Sequence, residues 1–442
     1  MYAPGSIKRQ KTTREATRSA ESSSENFHGI GRVEYKSDAS YNIEENLYYR
    51  YYNASERIHG RPMEEWLRPS VFLGQAFTPG LVQRPWCEDG TSLDSYKKSI
   101  RAMFELCIKL GIKYWSGYDK NIAPEGDNFD ENQSNFDQMV DLINEYQQKT
   151  GVKPLWIGVD LKTHSRYKNG AATSTDANIV TYAGYQVKKA LDVAHKLNAE
   201  CFLFNGEQEG YESIINTDLA KEMKHYSRFL KMIVEQRDRI GYRGQLLIQT
   251  NHENLQKNRY NFDLYSNLAL LKHYNYDRYF KVNVKAGHDF FMANAYGSVG
   301  CIDIKNNDLM DVTKASLLLR TVIESGGVAP GGLTFYLPNH NAYFEAKDLA
   351  VAFVTSIDSF AKALRLAVKL VNDVQINKNI QMRYLSFASG WGAKFTGSDA
   401  SFEDCEELCK KFQETNTNLN TNASRSEHWS AVLTRYIEAP LK

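Results

Sequence analysis

Cysteine is scarce and widely spaced in this chain of 442 residues. It contains no C-x-x-C pair and lacks the disulfide density of small secreted domains, so we expect a reducing, intracellular compartment. The last two cysteines are four residues apart on a predicted helix. They could supply half of a metal site, but a small apolar pair is the favoured interpretation. The six cysteines are Cys87, Cys107, Cys201, Cys301, Cys405 and Cys409.

The sequence also lacks an excess of one charge and any long apolar run. Its 54 Lys and Arg residues balance 53 Asp and Glu residues, which leaves a net charge of +1 at pH 7. A nearly neutral chain has no overall field that would attract nucleic acid or a membrane surface. No segment approaches the roughly 18 apolar residues of a membrane-spanning helix, and no secretory leader follows Met1. We therefore expect a cytoplasmic protein with no membrane or nucleic-acid partner.

Residues 1–27 form a polar arm that has almost no apolar side chains. The simplest interpretation is a disordered tail. A mitochondrial transit peptide is a weaker alternative, because such peptides contain few acids and this arm has Glu15, Glu21 and Glu25. The third interpretation is a tether to a protein assembly with an acidic surface, such as tubulin or another filament. Its basic residues are Lys8, Arg9, Lys11, Arg14 and Arg18.

What the chain does have is a regular alternation of short apolar runs with amphipathic helical patterns from Trp66 onward. Near-continuous apolar strands that alternate with helices predict a parallel sheet. Eight such units predict an α/β fold of the (β/α)₈ TIM-barrel type, with its chemistry at the carboxyl ends of the strands. The predicted strands are residues 71–77, 112–119, 154–161, 200–206, 245–251, 280–287, 299–305 and 332–338.

The domain organisation follows from this pattern. We predict that the barrel occupies residues 28–341 and that residues 342–442 form a barrel-closing helix and a C-terminal helical tail. This tail is too long for a simple cap. We expect it to embrace a second subunit or to wrap over the barrel, so a homo-oligomer is one expectation.

Several short sequences resemble the xylose isomerases, specifically the longer class with an N-terminal extension. They include FTPGLVQRPW (77–86), NIAPEGDN (121–128), KVNVKAGH (281–288) and GGLTF (331–335), in the family's order along the chain. The resemblance extends from Gly29 to about Ile437. It implies a TIM barrel, and it implies aldose–ketose isomerisation with two divalent cations held by carboxylates and imidazole.

The residues that the resemblance places in catalysis are changed in this sequence. A histidine and an aspartate that open the sugar ring are replaced by Tyr118 and Asn121, and an assisting lysine is replaced by Asn251. A tyrosine has a pKa of about 10, and asparagine neither holds a proton nor carries a charge. We therefore regard these three positions as degenerate.

Most of the metal ligands implied by the resemblance are changed as well. Gln249, Lys285 and Tyr336 stand where carboxylates are expected, and a segment with two further ligands is missing after residue 308. His288 and Asp303 remain. Two ligands are too few for Mg²⁺ or Mn²⁺, which need several oxygen ligands. We expect no metal and no other cofactor.

One substitution suggests a replacement for the cations. We expect the Lys285 ammonium to neutralise Asp303; the alternative is that both side chains face solvent and never meet. Among the pocket aromatics, Trp156 remains, whereas Gly74 and Asn205 stand at the positions of the family's other two tryptophans.

These losses lead to the first functional hypothesis, a catalytically inactive member of the family. It would serve as a structural or binding subunit of a larger assembly, such as a cytoskeletal filament, tethered by its N-terminal arm. The alternative is a sugar-binding protein or an isomerase with an altered, metal-poor site that uses Tyr118, Lys285 and His288 as polar groups. A third hypothesis is a regulatory subunit that joins a genuine paralogue.

Overall fold

Eight parallel strands close into a barrel, and β8 pairs back to β1. The computed structural model describes residues 25–38, 45–74, 76–80, 84–87, 90–250, 258–305, 311–337, 345–411 and 425–439. Each strand pairs with the next in chain order, so the predicted barrel and all eight predicted strands are confirmed. The strands are β1 Pro69–Phe72, β2 Tyr114–Tyr118, β3 Lys153–Asp160, β4 Cys201–Asn205, β5 Gln245–Gln249, β6 Phe280–Lys285, β7 Val299–Lys305 and β8 Leu333–Tyr336.

A helix of eight or more residues follows each strand, as the alternating pattern predicts. Shorter elements include one-turn helices at Met63–Leu67 and Asp119–Ile122. Within the described ranges, no helix is long and apolar enough to cross a membrane. The barrel helices are α1 Leu93–Leu110, α2 Phe129–Thr150, α3 Ala177–Lys196, α4 Leu219–Ile240, α5 Leu264–His273, α6 His288–Ala295, α7 Val312–Glu324 and α8 Ala346–Asn372.

Local sequence sets the ends of these helices. Helix α1 begins where the Ser92 hydroxyl accepts the Ser95 N–H at 3.2 Å, and α2 begins where Asn128 accepts the Glu131 N–H at 3.0 Å. Such caps satisfy N–H groups that have no partner within the helix. Gly111 and Gly151 end the same two helices with φ values of 66° and 74°, a conformation that glycine adopts without steric cost.

Helix α8 closes the barrel against β8 and the N-terminal segment. Its buried face includes Phe360, whose ring lies 5.3 Å from that of Phe335 on β8. The Asp358 carboxylate accepts the backbone N–H groups of Tyr51 and Tyr52 at 2.7 and 2.8 Å. These contacts fix the segment before β1 to the end of the barrel sequence.

The tail after α8 consists of separate helices with exposed apolar side chains. They are α9 Val374–Arg383, α10 Gly390–Thr396, α11 Phe402–Lys411 and α12 Ser426–Glu438. Many large apolar side chains here face solvent in the single chain, which differs from the buried faces of α1–α8. The exposed ones are Val374, Ile380, Met382, Tyr384, Leu385, Phe387, Phe395 and Phe402.

Only the last residues of the N-terminal arm belong to the described structure. Phe27 is fully buried and its ring lies 5.4 Å from that of Trp86. Its N–H, like that of Asn26, donates to the Glu105 carboxylate on α1. The arm's basic residues Lys8, Arg9, Lys11, Arg14 and Arg18 lie outside the described residues.

Candidate functional site

Four aromatic rings form a layer at the carboxyl end of the barrel. The ring of Phe72 lies 4.3 Å from that of Tyr336, 5.9 Å from that of Trp156 and 6.0 Å from that of Tyr118. Tyr118 and Trp156 are 5.3 Å apart. Tyr118 needs the glycine beside it, because a Cβ at Gly158 would lie 2.9 Å from the tyrosine ring. The layer therefore depends on residues from four strands.

The carboxylate of Asp303 lies beside this layer and is 1% exposed. Asn283 donates to its Oδ1 at 3.1 Å, and Gln249 donates to its Oδ2 at 3.4 Å. Asn283 also donates to Gln249 Oε1 at 2.8 Å. The Lys305 ammonium lies 3.6 Å from Asp303 Oδ2 and 4.5 Å from the centre of the Tyr336 ring. A buried carboxylate requires such donors and a countercharge, and both are supplied here by the chain.

The two tyrosines of the layer remain neutral around pH 7. Burial, and next to it the negative charge of Asp303, raise the pKa of Tyr118 and of Tyr336 well above the usual value. Asn205 donates to the Tyr118 hydroxyl at 3.3 Å. The layer therefore offers phenol groups that can donate hydrogen bonds, and no phenolate.

Asn121, predicted as a degenerate catalytic position, has a local structural role. Its Oδ1 accepts the Tyr118 N–H at 3.1 Å, and its Nδ2 donates to the Thr78 hydroxyl at 3.0 Å. It thereby holds the turn that carries Tyr118 out of β2. Asn251, the third degenerate catalytic position, lies outside the described residues.

The remaining predicted residues divide between the barrel centre and its rim. Lys285 is directly opposite Asp303 in the β6–β7 register. His288 begins α6, is exposed, and has its Nε2 3.5 Å from the Tyr265 hydroxyl. Trp156 is fully buried and donates its indole N–H to the Thr334 hydroxyl at 2.9 Å.

A second polar network joins the ends of β2 and β3. The Asp119 carboxylate is 4% exposed and accepts the N–H groups of Lys120 and Asp160, both at 2.9 Å, and the Gln186 amide at 2.7 Å. Burial raises the pKa of Asp119 to about 6. Lys120 forms an ion pair with Asp160, whose pKa is lowered despite its burial by this ammonium and by backbone N–H groups.

Glu209 connects two loops at the same end of the barrel. It is 1% exposed, and its carboxylate accepts the N–H groups of Ala171, Ala172 and Thr173 at 3.2, 2.8 and 2.8 Å. The Thr173 hydroxyl donates to it at 2.6 Å. Burial raises the pKa of Glu209 in spite of these four donors. One side chain thus ties the β3–α3 loop to the β4–α4 loop.

The chain is similar in sequence to known proteins. It is 34% identical over 440 residues to a xylose isomerase of Caldicellulosiruptor bescii, covering 93% of this chain and 99% of that protein. It is 33% identical over 417 residues to a xylose isomerase of Arabidopsis thaliana, covering 88% and 87% of the two chains. The chain belongs to the xylose isomerase family. No protein-family model matches it.

The solved structures to which the chain is similar are more distant than these family relatives. An L-ribulose 3-epimerase structure covers 69% of this chain and 98% of its own, with a TM-score of 0.48 and 10% sequence identity. A 3-keto-D-glucoside 4-epimerase from E. coli covers 65% of this chain, with a TM-score of 0.45 and 10% identity.

Membership of this family implies a pair of divalent cations, and the residues at the barrel centre do not fit them. Gln249, Lys285 and Tyr336 bring an amide, an ammonium and a phenol to the positions where hard cations need carboxylates. Within the parts of the chain that the structure describes, no group of three or more His, Cys, Asp or Glu side chains could hold a metal ion. We therefore derive no step that passes through a metal.

The hypothesis of a catalytically inactive structural subunit is wrong. The similarity to the xylose isomerases spans 93% of this chain, and these relatives are sugar isomerases by name. The hypothesis treated loss of the metal ligands as loss of function. A lysine beside Asp303, which the structure shows to be Lys305, supplies a positive charge at the same place. The chain is a member of a sugar isomerase family, and the alternative hypothesis fits it better.

Three residues of the barrel centre were missed by sequence reasoning: Phe72, Asn283 and Lys305. A period-two signal was available for two of them, because residues i and i+2 of a strand face the same side. Asn283 precedes Lys285 by two positions, and Lys305 follows Asp303 by two. Phe72 is the last residue of β1, and its strand was predicted to extend to residue 77.

Proposed function

We propose that the chain binds an aldose or ketose at the carboxyl end of the barrel, in an altered and metal-poor site. The observation that supports this most directly is the Asp303 cluster beside the aromatic layer. Asn283, Gln249 and Lys305 all direct donors at that carboxylate, at distances from 3.1 to 3.6 Å. Fixed polar groups next to apolar rings are typical of small-molecule sites.

The layer also has the chemistry that a sugar ring needs. Tyr118 and Tyr336 are 8% and 9% exposed, so a ligand would rest against their edges and would not pass through the layer. Aromatic rings provide apolar surface for the C–H groups of a sugar, and the hydroxyl and amide groups provide hydrogen bonds. Lys305, which is partly exposed, adds a cation at the same level.

A second candidate function is aldose–ketose isomerisation at this site without metal ions. It is favoured by the presence of a carboxylate, an ammonium and two neutral phenols within one cluster. In such a reaction a carboxylate removes the proton from the carbon next to the carbonyl group, and an enediol forms. A phenol or ammonium gives a proton to the carbonyl oxygen as the enediol forms. The carboxylic acid then returns its proton to the former carbonyl carbon, and the hydroxyl proton of the neighbouring carbon restores the phenol or ammonium as the new carbonyl group forms. No electrons leave the sugar, so the step needs no oxidant.

The test is sugar binding and turnover by the full chain in the presence of EDTA. D-xylose, D-xylulose, D-glucose and D-fructose are titrated while thermal unfolding is recorded, because a ligand of the folded state raises the midpoint by mass action. Aldose and ketose are then quantified after long incubation. Tyr118→Phe removes one hydroxyl of the site, and Tyr296→Phe, at an exposed position between α6 and β7, is the matched control.

A sugar-dependent rise of the unfolding midpoint that Tyr118→Phe weakens and Tyr296→Phe does not would support the binding proposal. Ketose formed in EDTA would support the second candidate. A chain that shows no response to any of the four sugars contradicts both. Turnover that appears only after Mn²⁺ is added contradicts the metal-poor site.

A further inference from the structure

A separate cavity of about 690 Å³ lies between α2 and α3, above the ends of β2 and β3. Its size is within the range of small-molecule sites. The floor is the Asp119–Gln186 network, and the walls come from the start of α2, the β3–α3 loop and the middle of α3. None of the aromatic rings of the barrel centre lines it.

The charges of this cavity nearly cancel, and most are already paired. Four carboxylates in the lining face three cations, which are Lys120, Arg166 and Lys189. Lys120 pairs with Asp160, and Arg166 donates to Glu125 at 3.0 Å. An anionic ligand would meet an excess of carboxylates, and a cationic ligand would meet two pre-existing ion pairs. The lining therefore suits an uncharged ligand.

The polar groups left over are a mixture of donors and acceptors. Lys189 donates to the Asn132 carbonyl at 2.9 Å, which uses one of its three N–H groups. Burial lowers the pKa of Lys189 to about 8, so it is still largely protonated at pH 7. Among the described residues, Gln186 Oε1 accepts only the Tyr167 hydroxyl, at 2.7 Å, which leaves one lone pair for a ligand. Groups that both donate and accept, as hydroxyls do, match this set.

One hydroxyl of the lining is unsatisfied. The Tyr185 oxygen is buried and has no hydrogen-bond partner among the described residues. A buried hydroxyl without a partner costs about 1–3 kcal/mol, which a bound polar group would offset.

Aromatic rings line the sides of the same cavity. Phe129 lies 4.9 Å from Tyr185, and the Arg166 guanidinium lies 4.9 Å from the centre of the Tyr182 ring. Phe129 and Tyr182 are 61% and 57% exposed, so both rings are accessible to a ligand. Rings of this kind provide flat apolar surface for the C–H face of a pyranose.

We propose that the cavity between α2 and α3 is a second ligand site, which takes the ring of an uncharged saccharide. The ring would lie between Phe129 and Tyr182, and its hydroxyls would bond to Lys189, Gln186 and the Tyr185 hydroxyl. This site is independent of the proposed site in the barrel centre, since the two share no aromatic residue.

The experiment compares D-glucose with D-glucose 6-phosphate, which differ only in charge and in the phosphate group. Both are titrated into the full chain by calorimetry, with saturation-transfer NMR to detect weak binding. The double variant Phe129→Ser/Tyr182→Ala removes the two exposed walls without touching the core. Tyr296→Ala, which also removes an exposed aromatic ring, is the matched control.

We expect the double variant to weaken one D-glucose binding event at least tenfold, the control to change nothing, and the phosphate ester to bind more weakly than glucose. Unchanged glucose binding in the double variant would overturn the inference and leave the barrel-centre proposal intact. Stronger binding of the phosphate ester would also overturn it. If the double variant loses all glucose binding, the second site stands and the barrel-centre proposal fails. Absence of binding in the unmodified chain would contradict both.

Discussion

The Lys305 ammonium lies 3.6 Å from the Asp303 carboxylate, two residues away on the same face of β7. The carboxylate side chain is fully buried, while 25% of the lysine side chain is exposed. Lys305 therefore places one positive charge of the chain at the centre of the barrel. Membership of the xylose isomerase family implies two divalent cations at this place. The charge arrangement of the site is therefore encoded within one strand.

Removing the ammonium should destabilise the fold. In Lys305→Met the Asp303 carboxylate stays buried without its cation, and we expect a loss of about 2–3 kcal/mol in the free energy of unfolding, measured with urea at pH 7. The double variant Asp303→Asn/Lys305→Met should recover much of the loss because no charge remains buried. Lys305→Arg is the control that retains the cation. Equal losses in the single and double variants would contradict the pairing.

Chelation should not affect stability. Because the barrel centre does not fit a divalent cation, dialysis against EDTA should shift the thermal midpoint by less than about 1 °C, and added Mg²⁺ or Mn²⁺ should not raise it. Differential scanning calorimetry at fixed ionic strength measures this. A cation-dependent rise in the midpoint that Asp303→Asn abolishes would show that the centre holds a metal after all.

Asp119 should make stability depend on pH in a defined window. Its pKa is raised to about 6 in the folded chain, against about 3.9 when unfolded. Between these values the folded chain binds more protons than the unfolded chain, so stability falls as the pH rises from about 4 to about 6. The difference corresponds to about 2–3 kcal/mol. Asp119→Asn cannot titrate and should lack this decrease.

Urea unfolding of the two proteins between pH 4 and pH 7 provides the comparison. The free energy of unfolding of the unmodified chain, minus that of Asp119→Asn, should decline from pH 4 to pH 6. The same difference taken against Asp141→Asn, an exposed control on α2, should stay constant. A constant offset between the unmodified chain and Asp119→Asn at every pH would contradict the raised pKa.

The exposed apolar side chains of α9–α11 predict self-association. A surface with this many large apolar groups is costly in water and is typical of an interface. We expect the full chain to form a homo-oligomer in light scattering, and a chain that ends at Asn372 to have a lower assembly state. The matched control is a chain that lacks residues 1–24 and keeps the tail. A monomeric full chain would contradict this prediction.

The fold was predictable because its signals are periodic and repeated. Eight apolar runs, each followed by a 3.6-residue pattern such as that of α1, specify a barrel even though several strand ends differ by a few residues. The positions of substitutions such as Tyr118 and Lys285 were also predictable from the sequence, since each stands at the end of a predicted strand. The contacts of each substituted side chain were harder to predict, because they depend on side chains from other strands.

Two particular cases illustrate that limit. The sequence suggested Lys285, which lies opposite Asp303 on β6, as the cation of Asp303; it did not suggest Lys305, which lies 3.6 Å from Asp303 on the same strand. The cavity between α2 and α3 could not be predicted, because its lining combines two helices and two loops. In the sequence, Lys189 and Tyr182 do not differ from other residues on the surface of a predicted helix.

The Glu209 carboxylate has a consequence for the local opening of the molecule. Because it accepts three consecutive N–H groups of residues 171–173, those amides can exchange with deuterium only when the β3–α3 and β4–α4 loops separate. The three amides should therefore exchange at a common rate, as one cooperative unit. The β3–α3 and β4–α4 loops, which border the mouth of the barrel, would then open together. One free energy, that of separating the two loops, would govern access to the mouth.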